Sequence, residues 1–188
     1  MAAGNDDTIK KVVARLSQPP KYADGVRGSI LAVAAASYGS RPTDDEDVTQ
    51  PTGFDPEAAA LFEAVVESAY LVANADGEFD DTEKTAFQHV VLAACTGSVA
   101  KRQIEALLAD LADQLEEDGM DKRIDMVSRT ISRPEHAREV LKVAALLAAV
   151  SAGVSAEERS VLDKLASKFG LGSEEIETAL SEVSRVMG

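Results

Sequence analysis

Apolar residues recur along most of this chain at spacings of three and four, the repeat of a helix with one buried face, and no segment sustains the period-two alternation of a strand. Ile9, Val12, Val13 and Leu16 form a first stripe behind the capping candidates Asn5, Asp6 and Asp7, and Gln18-Pro19-Pro20 stops it. An alanine-rich stretch from about Arg27 to Tyr38 predicts a second helix. From Gly39 to Gly53 periodicity disappears, and this acidic, Pro- and Gly-containing stretch reads as a linker. Asp55-Pro56 is an N-cap with proline at the first helical position, opening a helix with Leu61, Phe62, Val65, Ala69 and Val72 inward that ends near Ala75. Asp80-Asp81-Thr82-Glu83 is a capping box before Phe87, Val90, Val91 and Ala94. Ser98 is the expected cap of a stripe running Ile104, Leu107, Leu108, Leu111, Leu115 and ending before Gly119. Met120, Ile124, Val127 and Ile131 mark a short helix; Ser132-Arg133-Pro134-Glu135 starts one reaching about Val150. Ser155-Ala156-Glu157-Glu158 opens a helix closed by Gly170, and Ser173-Glu174-Glu175 opens the last, with Ile176, Leu180, Val183 and Met187 inward. The predicted fold class is all-α, divided into an N-terminal extension over residues 1–54 and a helical domain over 55–188.

Composition sharpens this picture. Aromatics are 4% of the chain and there are 31 alanines, so the core must be made of small aliphatic side chains packed closely, in helices rather than sheets. A formal net charge of -14 at pH 7 repels phosphate backbones and anionic lipid heads, which argues against nucleic acid as a partner. The lone Cys95 excludes an intramolecular disulfide and a cysteine-rich zinc site. Residues Met1 to Asp7 are acidic with no apolar run behind them, predicting no signal peptide and a cytoplasmic location. The most apolar stretches, Ile30 to Ala36 and Val143 to Val150, fall short of the roughly 18–20 residues of a spanning helix, so no direct membrane insertion is expected.

Displacing the chain by 75 positions superposes two helix-turn-helix units. Ala69, Leu71, Val72 and Ala73 fall on Ala144, Leu146, Leu147 and Ala148; Phe79 and Asp80 fall on Val154 and Ser155; Glu83 and Lys84 fall on Glu158 and Arg159. Each unit is a small-residue helix, a turn, an apolar residue, an N-cap and a glutamate three residues on, so two related hairpins are expected to pack against each other. The run Ala75-Asp76-Gly77-Glu78-Phe79-Asp80-Asp81-Thr82-Glu83-Lys84, with Ser155-Ala156-Glu157-Glu158-Arg159 following in the second unit, resembles the TerB-like, tellurite-resistance family over about Glu57 to Val186. That resemblance implies a compact helical bundle of two repeats, acidic turns that bind a divalent metal, and membership of bacterial stress-response systems that act beside membrane-associated partners. Where the second turn of the family usually repeats the acidic Asp-Gly pattern, this chain has Ser151 and Ala152.

The first turn supports two readings. Asp80 as N-cap, Asp81 and Glu83 in the first helical turn, and Gly77 as the left-handed helix stop are all explained by capping and the helix dipole. Asp76 sits instead at the unfavourable, negative end of the preceding dipole with Glu78 two residues on, and five carboxylates in eight residues are the hard-oxygen cluster that takes Ca2+ or Mg2+. The candidate ligands are Asp76, Glu78, Asp80 and Glu83. An EF-hand register would put Val72 at the first ligand position, which an apolar side chain cannot fill.

Elsewhere the acids Asp110, Asp113 and Glu117, with Asp118, Asp121 and Asp125, read as a solvated face. Lys101, Arg102, Lys122, Arg123, Arg129 and Arg133 read as their ion-pair partners. His89 and His136 have no His or Cys at ligand spacing, and Cys95 reads as a small core residue. No Glu-x-x-His pair, Gly-x-Ser-x-Gly elbow, phosphate loop or dinucleotide fingerprint occurs, so no enzyme is expected. The functional expectation is a non-catalytic interaction module for a protein partner, with weak divalent-cation binding. The alternative is a scaffold or adaptor docking through residues 1–54.

Overall fold

The computed structural model describes residues 3–18, 29–40, 55–77, 79–150 and 154–188. Among them are nine helices and no strand: α1 (Ala3–Leu16), α2 (Ile30–Gly39), α3 (Pro56–Ala73), α4 (Asp81–Ala94), α5 (Lys101–Asp118), α6 (Met120–Thr130), α7 (Pro134–Ala148), α8 (Ala156–Lys168) and α9 (Ser173–Met187). The chain is the all-α bundle its periodicity predicts. The 75-residue offset is kept in the elements themselves: α3 and α7 end at Ala73 and Ala148, and α4 and α8 begin at Asp81 and Ala156.

Helices α3 and α7 form the centre and make the most extensive contact in the fold. Every residue from Ala64 to Val72, and every residue from Val143 to Val150, is buried. A helix apolar on all sides must be enclosed on all sides. Here α2 packs along α3, α9 along α7, and α6 and α8 fill the flanks. Alanines 69, 144 and 145 are fully buried at this centre, so the core gains density from close backbone approach instead of large side chains. Its few aromatics act as pins. Tyr70, Phe79 and Phe87 stack edge to face at 5.5 and 5.8 Å between ring centres, tying α3, the turn and α4 together, and Tyr38 meets Phe62 at 4.7 Å between α2 and α3.

Two charged residues enter this centre as a pair. Glu67, on α3, accepts a hydrogen bond at Oε1 from Arg123 Nε (2.7 Å), with Nη2 ion-paired to the same oxygen at 2.6 Å, while Arg123 Nη1 donates to Asp118 Oδ2 at 3.2 Å. Burial pushes the Glu67 carboxyl above its ordinary range even with Arg123 beside it. The bonds from Lys122 and Arg123 hold Asp118 below its own.

The N-terminal helices share the same core. Ile9, Val12 and Leu16 of α1 are buried against α4, α7 and α9, and Ile30, Leu31, Ala34, Ala35 and Tyr38 of α2 are buried largely against α3.

Several element ends differ from the sequence reading. Helix α1 starts at Ala3, so Asn5, Asp6 and Asp7 lie within it and not ahead of it. Helix α5 is capped at Ala100 and not at Ser98; Gln103 Oε1 accepts the Ala100 N–H at 2.9 Å, half of a capping box read backwards from the helix. Helix α2 begins three residues later than expected, with Ser29 Oγ accepting the Ala32 N–H at 3.1 Å. Pro19-Pro20, most of the expected linker and the turn Ser151-Ala152-Gly153 lie outside the described residues. Among the described residues no helix is long and apolar enough to cross a membrane.

Candidate cation site at the seam of the two hairpins

Helix α3 ends at its cap Asn74, whose N–H donates to Tyr70 O at 3.0 Å, and the chain makes one further turn before Gly77, at φ 80°, redirects it. A side chain at Gly77 would meet nothing, so glycine is required there by backbone conformation alone. Asp76 stands exposed on this turn and Glu78 lies outside the described residues. Then Asp80 caps α4: its Oδ1 accepts the N–H groups of Thr82 (2.7 Å) and Glu83 (2.8 Å), and Glu83 Oε2 accepts the Asp80 N–H at 3.2 Å. The expected capping box is present in full, and each carboxylate spends one of its two oxygens on it.

The second hairpin repeats this device. Ser155 Oγ accepts the Glu158 N–H at 3.1 Å, and Glu158 Oε2 accepts the Ser155 N–H at 2.6 Å. Because α3 and α7 lie together, the two repeat-related glutamates, Glu83 and Glu158, face the same seam. They line a cavity of about 20 Å³ with Ala73, Phe79, Phe87 and Leu147, room for one water-sized occupant. Burial raises the Glu158 carboxyl above the ordinary carboxylate range, the Ser155 bonds oppose that, and the charges of Asp76 and Glu83 raise it further.

Of the four residues singled out in the sequence, three are thus placed. Asp76, Asp80 and Glu83 share the turn and its cap, and Glu83 meets Glu158 at the cavity while the charge of Asp76 is felt there. Sequence reasoning took Glu158 for a cap and nothing more. The available signal was the 75-residue superposition, which sets Glu158 on Glu83. Among the described residues, no three His, Cys, Asp or Glu side chains are gathered closely enough to hold a metal ion by themselves. The acids of α5 and α6 have protein partners: Asp118 accepts from Lys122 at 2.5 Å, Asp121 from Lys164 at 2.7 Å, and Asp125 pairs with Lys168 at 2.5 Å. His89 is exposed, and partial burial with Arg133 nearby lowers the His136 pKa. Cys95 is fully buried at the end of α4, and burial pushes its thiol up to about 12.

An all-helical domain of two hairpins offset by 75 residues, each closed by a capping box and meeting along a small-residue seam, defines the class of this protein. The family described as tellurite resistance protein TerB matches residues 62–181, more than half of the chain, and the chain belongs to that family. No curated protein and no solved structure matches it.

Proposed function

We propose that this chain is a non-catalytic TerB domain that serves a bacterial stress-response system of the tellurite-resistance type as an interaction module, and that its acidic seam takes a divalent cation weakly. The observation that supports the cation reading is that Glu83 and the half-buried Glu158 line one small cavity, with the charge of Asp76 felt at Glu158. Carboxylates whose charges oppose one another across such a seam are relieved by Ca2+ or Mg2+, hard cations that take oxygen ligands and keep waters where the protein supplies too few. Asp76, Glu78, Asp80 and Glu83 are the ligand set we assign, with Glu158 beside them from the second hairpin. The oxygens of Asp80 and Glu83 left over from the capping box suit this use. The net charge of -14 draws cations and basic protein surfaces and repels nucleic acid. A membrane-associated complex as partner rests on the family resemblance.

Calorimetric titration with Ca2+, Mg2+ and Mn2+, paired with thermal melts, tests the cation reading. Wild type is expected to gain thermal stability at millimolar metal, and a Asp76→Ala/Asp80→Ala variant to gain none. Neither heat nor a melting shift at those concentrations would discard the cation. Docking through residues 1–54 as a free arm is less well supported, since α1 and α2 spend their apolar faces on the domain core.

A further inference from the structure

Helix α1 is held on the bundle by an apolar stripe and one charge. Ile9, Val12 and Leu16 are buried against α4, α7 and α9, and Arg15 Nε donates to Glu182 Oε1 on α9, with both side chains largely buried. Glu182 gives the groove beneath α1 a charge requirement. Desolvation alone would raise its carboxyl, and the Arg15 guanidinium, with Lys142 and Arg185 behind it, reverses that and holds the carboxyl below its ordinary range. Lys142 is itself paired to Glu139 at 2.8 Å. A purely apolar helix in the same place would strand a buried carboxylate.

Beyond its stripe the seating of α1 is incomplete. Between its second half and the end of α9 lies an open groove of about 610 Å³, lined by Lys11, Ala14, Gln18 and Arg185 together with the Arg15–Glu182 pair itself. The family match begins at residue 62, so α1 stands outside the matched region, whereas α4, α7 and most of α9 lie within it. The groove is therefore built mostly on matched helices and filled by an element from outside the match, with Glu182 and the last turn of α9 just past its end.

We propose that the groove formed by α4, α7 and α9 is a docking site for an amphipathic helix with apolar residues at i, i+3 and i+7 and an arginine at i+6, and that α1 is its resident occupant, displaced by a partner helix of that pattern. The spacing is that of Ile9, Val12, Leu16 and Arg15, and the arginine is required because Glu182 must be neutralised where it is buried. This inference supplies a surface for the interaction-module reading and is independent of the cation: metal titration tests one, helix exchange the other.

The test uses the full chain and a fluorescein-labelled peptide with the sequence of residues 3–18. In wild type, amide hydrogens of α1 should exchange well ahead of those of α3 and α7, and capture of the peptide should be weak. An Arg15→Ala chain keeps Glu182 in the groove but loosens its own α1, so it should capture the peptide at least about tenfold more tightly, a difference of about 1.4 kcal/mol. A peptide carrying the same Arg15→Ala change should lose at least that factor. Equal protection of α1 and the central helices would overturn the proposal, as would a folded Arg15→Ala chain that captures no more peptide than wild type. An Arg15→Ala chain that fails to fold would also overturn it, by making α1 an indispensable part of the core. A concentration-dependent dimer that excludes the peptide would overturn it in favour of a second copy's α1.

Discussion

At the scale of single residues, two positions carry consequences their chemistry alone would not suggest. Gly39 closes α2, where alanine would ordinarily gain up to about 1 kcal/mol of helix stability. A Cβ there would fall 1.6 Å from Ser98 O and 2.8 Å from Ser98 C, in the turn that carries Thr96 at φ 52° and Gly97 at φ 84°. Backbone must give way, and the clash outweighs the propensity. Gly39→Ala is expected to destabilise by about 1–3 kcal/mol, read as a lowered urea midpoint; a neutral result would mean α2 rides freely over that turn. The second position is Arg123. Removing it by Arg123→Met strands Glu67 in the core at a cost of about 3–5 kcal/mol, whereas Glu67→Met/Arg123→Met should recover most of that loss, because a buried pair exchanged whole for apolar side chains costs little. A double variant as unstable as the single one would contradict this account of the pair.

Among the elements, the two capping boxes invite a direct comparison. Asp80 accepts two amide N–H groups and Ser155 one. Asp80→Ala and Ser155→Ala should each cost about 0.5–2 kcal/mol in chemical denaturation, with Asp80→Ala the larger; the reverse order would mean that charge repulsion at the acidic turn cancels the cap. These boxes are also where the sequence was most readable. A cap is written within four consecutive residues, so Asp55-Pro56, Asp80 to Glu83 and Ser155 to Glu158 announce their helices without tertiary information. Helix α5 was harder, because its box survives only as Gln103 reaching back to an alanine. The Glu67–Arg123 pair was not legible at all: the two are 56 positions apart, and periodicity marks which face is buried but not which distant charge shares it. The candidate site was half legible. The repeat aligned Glu83 with Glu158, while their meeting at a seam depends on how α3 crosses α7.

For the molecule as a whole, the buried acids set the pH response. Glu67 and Glu158 titrate above 4.5 in the fold, so the stability they allow is full in acid and is lost as pH rises through their folded values. Glu182 and Asp118 are held below 4.5 and 3.8, so what they contribute is present at neutral pH and lost as pH falls. Melting temperature should therefore fall on the acid side as Asp118 and Glu182 take up protons, and on the alkaline side as Glu67 and Glu158 ionise. Glu158→Gln, which keeps a cap acceptor, should flatten the alkaline side, raising the Tm at pH 8 by about 2 °C with little change near pH 4.5. A steeper alkaline fall in the variant would show that Glu158 is stabilising when ionised. The single thiol, meanwhile, sits where no reagent reaches it, with its proton held to about pH 12. Cys95 is in that sense a built-in clock. An alkylating reagent added to the native protein marks a molecule only after the end of α4 has opened, so the gain of one adduct per chain, followed by mass, times how often this bundle comes apart.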